Sequence, residues 1–152
     1  MAVWRLITHH SDPERLLAWT IQNSRIAIGW CALGDLRTYP SEAKIKAKAL
    51  VTFPTLPNRF FSGHQLWAFL HEVQKGDLVI LSARGRARVA EVTGDYMFEP
   101  THGDASPYAH QRPVRFLAMD PDELWVKSGR TAPGENQRWA FVRCTRDPRQ
   151  TS

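Results

Sequence analysis

With only two cysteines, Cys31 and Cys144, in 152 residues, the chain has too few for a zinc framework, and those it has lie far apart. Both read as small buried apolar residues rather than a disulfide in a chain expected to be cytoplasmic. No run of 18 apolar residues occurs, which argues against a transmembrane helix. Met1-Ala2-Val3-Trp4-Arg5 lacks the basic, apolar and small-residue sections of a secretory signal. Phosphate loop, Rossmann fingerprint and nucleophile elbow are all missing. The six histidines show no helical i, i+4 metal pair: His9-His10 and His102/His110 fall in expected loops, and Asp104 beside them is a thin basis for a metal site. Cys31 adjoins an apolar strand and has no evident base. The expectation is therefore a domain without metal, cofactor or catalysis of its own.

Lysine is scarce as well, and what replaces it is informative. Of 20 basic residues only 5 are Lys and 15 are Arg, set against 15 acidic residues for a net charge of +5. A guanidinium offers a planar fork of donors that suits phosphate and base edges, which raises the prior for a nucleic-acid partner. Six tryptophans, Trp4, Trp19, Trp30, Trp67, Trp125 and Trp139, are spread from end to end. A single Trp is by default core filling whose indole N–H needs a partner. Trp also makes stacking walls for bases, so position decides. With 43% apolar residues the chain has enough for one core, burying roughly 70% of its unfolded surface.

Val3 to Thr8 alternates apolar and polar residues and predicts a strand. His9-His10-Ser11-Asp12-Pro13 predicts a loop and helix cap, with a helix through Asn23. Ser24 to Trp30 predicts a short buried strand. Pro40 to Leu50, with Ser41 as cap, predicts a second helix. Phe53 to Gly63 reads as a packed loop, and His64 to Val73 as a third helix. Leu78–Leu81 and Ala87–Val92 predict a hairpin, with Tyr96 to Glu99 continuing its second strand. Thr101 to Arg112 reads as a long polar loop, Pro113 to Leu117 as a strand, Asp122 to Lys127 as a short helix or strand, and Asn136 to Cys144 as the closing strand. The sum is an α+β arrangement around a bent, mostly antiparallel sheet. A single domain over 1–146 is expected, with 147–152 having the composition of a free end.

Three features converge. Trp30 ends its strand beside the loop after the first strand, a geometry for the wall and lip of a pocket. Tyr96 and Phe98 share one face because strand side chains repeat every two residues. Arg84, Arg86 and Arg88 surround the hairpin tip, where cations meet a phosphate backbone. Asp35 and Asp95 sit in Gly-Asp turns, where turn formation is the simpler role and hydrogen bonding to a base edge the alternative.

These residues, in the order VWRLITHHSDPERL, SRIAIGW and FLHEVQKGDLVILSARGRARVAEVTGDYMF, resemble the PUA-like superfamily, specifically its EVE and YTH branches, from Val3 to about Leu117. The resemblance implies a PUA-like, bent, mostly antiparallel β-barrel with helices packed around it. It also implies a reader that holds an extruded, methylated base in an aromatic cage. Carried over by position, Trp30 matches the cage tryptophan, and Thr8, His9, His10 and Ser11 match the segment that edges the base. The other cage rings have no obvious equivalent spacing, leaving Tyr96, Trp67 and Phe98 as candidates. Arg84, Arg86, Arg88 and Arg25 are the expected phosphate contacts. The implied partner is nucleic acid, DNA favoured over RNA, with a nuclease or other defence-system protein as a possible associate and no membrane. Alternatives are an RNA reader on the same fold, a small hydrolase acting on a modified nucleoside, and a scaffold module.

Overall fold

A computed structural model of the chain describes residues 1–7, 13–55, 59–83, 86–100, 108–128 and 141–144. The elements run β1 (Val3–Ile7), α1 (Pro13–Asn23), β2 (Arg25–Ile28), α2 (Glu42–Thr52), α3 (Arg59–Trp67) continued by a π-helical turn (Ala68–Glu72), β3 (Leu78–Ala83), β4 (Arg86–Val92), β5 (Met97–Phe98), β6 (His110–Leu117), α4 (Pro121–Lys127) and β7 (Phe141–Arg143). No helix among the described residues is long and apolar enough to cross a membrane.

One mixed sheet of order β2-β6-β4-β3-β1-β7 curls into a half-barrel, with β5 also paired to β6. The β1–β3 pair is parallel and the other pairs are antiparallel. The curl is made by β6, which changes partners midway. Its first half pairs with β2 (Ile28↔His110 to Arg25↔Pro113) and with β5 (Phe98↔His110), and Val114 to Leu117 then pair with β4. Pro113, which has no N–H to give a ladder, stands where the partners change. Gly94 crosses against its ring: a Cβ there would lie 2.7 Å from Pro113 Cγ, so only glycine fits without displacement.

The apolar run of β3 is explained by burial on both faces. Val79, Leu81 and Ala83 join Trp4, Leu6, Ile26, Leu36, Leu66 and Phe69 in the main core, while Leu78 and Ile80 join Val3, Val89, Leu124 and Trp125 in a smaller cluster. Trp4 is fully buried and its indole Nε1 donates to Asp77 (3.0 Å). The same buried carboxylate accepts from Ala2 N (2.9 Å) and Gln74 N (3.0 Å), so Asp77 locks the start of β1 to the turn before β3. Helix α2 begins as expected, with the Ser41 side chain accepting from Lys44 N.

Several boundaries differ from the expectations. Helix α3 starts at Arg59, so the stretch through Gly63 is helical rather than a loop. Gly63 is what allows that helix to approach α2, because a Cβ there would lie 3.0 Å from Lys46 Cα. Asp122 to Lys127, open between helix and strand, is helical. The segment after Gly94 does not continue β4 but forms two-residue β5 against β6. His110 to Arg112, expected in a loop, are the first residues of β6. The expected tail 147–152 and Trp139 lie outside the described residues.

Candidate functional site

Strand β2 ends at Ile28, and the chain turns at Trp30, whose φ of 59° and ψ of 39° are left-handed. For a residue with a bulky Cβ substituent that conformation costs roughly 1–2 kcal/mol, so something must hold it. The Trp30 carbonyl accepts from Leu33 N (3.1 Å) and from His110 Nε2 (3.1 Å). On the other side of the imidazole, Tyr96 Oη lies 2.6 Å from His110 Nδ1, and Tyr96 Oη in turn accepts from Leu36 N (3.1 Å). These partners allow one proton order. Leu36 N–H donates to Tyr96 Oη, the tyrosine O–H donates to Nδ1, and the proton on Nε2 goes to Trp30 O.

The His110 ring is stacked on both Tyr96 (5.8 Å) and Phe98 (5.4 Å). Burial pushes its pKa down to about 4, against smaller raising effects from the Trp30 carbonyl and Asp35, so the imidazole is neutral near pH 7. Burial likewise pushes the Tyr96 phenol up. The whole chain of bonds is uncharged and internally satisfied. It fixes the backbone at Trp30, whose ring packs on the core half-buried.

Beyond Trp30, Asp35 caps the turn Leu36–Thr38 by accepting from Arg37 N (2.9 Å). Its carboxylate also grips the Arg37 guanidinium (Nη2 to Oδ2, 2.6 Å), which holds the Asp35 pKa below its ordinary value. Asp35 thus takes the turn-forming role. Arg37 lies over the Tyr96 ring, 5.6 Å from its centroid.

An open cleft of about 620 Å³ adjoins this network, lined by Arg37, Leu70, Val73, Gln74, Lys75, Asp95, Tyr96 and Arg112. Arg112, at 3% exposure, forms its inner wall. Its Nε donates to Gly94 O, and its Nη1 donates to Phe69 O and Val73 O, each at 3.0 Å. The guanidinium therefore closes the carbonyl end of the π-helical turn and ties it to the Gly94 turn. At the mouth, Lys75 Nζ is 3.7 Å from Asp95 Oδ1, with both side chains exposed.

The expected site residues are only partly brought together. The Trp30 backbone carbonyl and the Tyr96 and Phe98 rings meet at His110, although Tyr96 precedes β5 rather than lying in it. Tyr96, expected as a cage ring, is 5% exposed with its hydroxyl engaged on both sides, and it is an internal tie rather than an open stacking wall. Phe98 remains half-buried. Trp67 ends α3 with its ring on His71 of the following turn (4.0 Å). Asp95 is exposed at the cleft mouth. Arg25 donates to Gln111 Oε1 (3.1 Å) across β2 and β6. Arg86 and Arg88 are exposed on β4, and Arg88 lies over Phe116, 5.0 Å from its centroid. Thr8, His9, His10, Ser11 and Arg84 lie outside the described residues.

Sequence reasoning missed His110, Arg112 and Arg37. The first two alternate along β6, at the period of a strand, but with polar residues inward, so a search for apolar alternation passes over them. Among the described residues no group of three His, Cys, Asp or Glu side chains is placed to hold a metal. A family model described as "Domain of unknown function (DUF8426)" matches residues 4–131. No curated protein matches the chain.

Proposed function

Since the chain belongs to the DUF8426 family, a domain of unknown function, we propose its role from the site itself: a non-catalytic nucleic-acid-binding module of PUA-like fold that reads a modified, most simply methylated, base in DNA. The observation that carries this reading is the left-handed Trp30, a strained residue with a half-buried ring, held by a neutral network built around His110. Strain of this kind is retained where the surroundings over-determine it, and it accumulates at binding sites.

An extruded base stacks on the open face of Trp30, with half-buried Phe98 as the second ring. Removing a base from its stack costs a few kcal/mol, and each aromatic face returns about 1–3 kcal/mol. Two rings therefore offset extrusion. A methyl group adds about 0.8 kcal/mol of buried area, a small preference that a fitted, dry pocket enlarges. A neutral imidazole behind Trp30 suits this task, since it imposes no charge on an uncharged base. Arg86 and Arg88, exposed on β4, supply sequence-independent phosphate contacts. A cytoplasmic setting and a nuclease or other defence partner belong to the same proposal.

The test is binding of matched DNA and RNA oligonucleotides carrying unmodified cytosine and adenine, 5-methylcytosine, 5-hydroxymethylcytosine or N6-methyladenine. Trp30→Ala is expected to weaken the preferred modified DNA by roughly tenfold or more. Unchanged affinity removes the stacking role. Tighter binding of the same modified base in RNA, which alone offers the 2′-OH, makes the protein an RNA reader. Product released from modified nucleosides makes it a hydrolase.

A further inference from the structure

Arg112 presents a problem that its fold role does not exhaust. A guanidinium has five N–H donors, and three of them go to Gly94 O, Phe69 O and Val73 O. Nη2 donates to none of the described residues, and no carboxylate among them lies within ion-pair distance of Arg112. Asp77 and Asp95 act on it only at longer range, and Asp77 is already taken up by Ala2, Trp4 and Gln74. Arginine cannot shed its proton to escape burial. A full positive charge on a side chain only 3% exposed thus stands at the inner wall of an open cleft with an amino group uncommitted.

The rest of the lining matches that charge. Lys75 and Arg37 are exposed at the rim, with Gln74 beside them in the lining. Lys75 is held only loosely, by the exposed carboxylate of Asp95 at 3.7 Å, a pairing that an incoming anion displaces at little cost. Leu70 and Val73 complete an apolar side. Arg37 is already paired with Asp35, so the charge open to an anion is that of Arg112 and of loosely held Lys75, and two such cations beside a space of about 620 Å³ are the chemistry for a phosphate group attached to something larger.

We infer that the cleft over Arg112 is a phosphate-binding site, with Arg112 Nη2 as its inner donor and Lys75 and Arg37 as its rim. The phosphate is one on the backbone of the bound strand, a source that rests on the nucleic-acid reading above. Tyr96 joins the two places: its hydroxyl belongs to the network behind Trp30, and the residue is part of the cleft lining. The strand accordingly lies with its extruded base at Trp30 and a neighbouring phosphate over Arg112. Arg86 and Arg88 contact it elsewhere.

Inorganic phosphate alone is the first probe, titrated into ¹⁵N-labelled protein and followed by NMR. Shifts are expected at Gln74, Lys75, Gly94 and Asp95 and at the Arg112 Nε–H. Lys75→Glu, an exposed change that leaves the fold intact, should weaken phosphate roughly tenfold, and Lys75→Arg should restore it. Arg112→Lys serves as a second variant where its thermal melt shows a folded protein. For a modified single-stranded oligonucleotide, Lys75→Glu should also flatten the slope of log K against log salt by about 0.7 for the lost contact. Shifts absent from the cleft, or scattered evenly over the surface arginines, overturn the phosphate site. Phosphate bound in the cleft of a protein that binds no oligonucleotide leaves the site standing and defeats the base-reading proposal. Trp30-dependent oligonucleotide binding that Lys75→Glu leaves unchanged in affinity and slope does the reverse.

Discussion

His110 and Arg112 stand two residues apart on β6, both basic, both buried, and both inside hydrogen-bonded networks that hold a turn. Their surroundings are nevertheless opposite in character. At His110 every polar atom of the ring has a partner in the protein, the proton order is unique, and the group is neutral. At Arg112 the carbonyls of the helix end are satisfied, but Nη2 donates to none of the described residues and no carboxylate among them pairs with the charge. The difference follows from chemistry. An imidazole can drop its proton to suit an apolar setting, whereas a guanidinium keeps its charge and must find an anion or water for it. One region is a finished support for Trp30, and the other carries a charge that no carboxylate among the described residues meets at ion-pair distance.

The largest effect that tests this contrast is Arg112→Met. Removing the guanidinium leaves Gly94 O, Phe69 O and Val73 O without their donor, and the loss should be about 3–5 kcal/mol in urea unfolding. A cost under about 1 kcal/mol means that Arg112 is no structural tie and that the two regions differ less than their geometry implies.

Acid should act next, and through the other residue. The folded-state pKa of His110 is depressed from 6.5 to about 4, so between those values the unfolded chain binds the extra proton and the folded one does not. Stability is therefore full above about pH 6.5 and is lost as pH falls through 4, by up to about 3 kcal/mol for such a shift. Chemical denaturation at stepped pH measures this, with the His110 ring resonances identifying the group. A His110 that titrates near 6.5 in the folded protein breaks the comparison.

Tyr96→Phe sharpens it. The variant keeps the ring against His110 and Phe69 but strands Leu36 N–H and His110 Nδ1, for an expected loss of about 1–3 kcal/mol. With Nδ1 unoccupied, the acid limb should also move to higher pH. Gly94→Ala drives a methyl into the Pro113 ring at 2.7 Å and should cost about 1–3 kcal/mol, loosening the turn that Arg112 holds. The smallest effect belongs to Arg86→Ala with Arg88→Ala. Both side chains are exposed, so stability should change by about 0.5 kcal/mol or less, while the salt dependence of oligonucleotide binding flattens.

Much of the frame is legible in the amino-acid order. The helix from Pro13 to Asn23 opens at its proline, its expected cap lying outside the described residues, and β3 and β4 lie within a residue or two of the expected hairpin. The strand expected through Trp30 ends at Ile28, and Trp30 itself takes the left-handed turn after it. What escapes such reading is the start of β6, because His110-Gln111-Arg112-Pro113 has the composition of a loop. A strand whose inward residues are polar sends no hydrophobic signal, and its burial depends on carbonyls and a phenol contributed from distant parts of the chain. The same holds for Tyr96, whose aromatic character suggests a stacking wall, whereas its hydroxyl makes it an internal link between Leu36 and His110.

By itself, then, the sequence determined the α+β class, the order of most elements and a basic, arginine-biased composition with tryptophan in surplus. Those follow from local propensity, periodicity and charge, which neighbouring residues carry among themselves. Tertiary structure alone decided which basic groups keep a charge and where that charge points. The protonation of His110 and the open amino group of Arg112 are set by burial and by partners 14 to 80 positions away in the chain. Desolvation and hydrogen bonding over such separations exist only once the sheet has curled around β6.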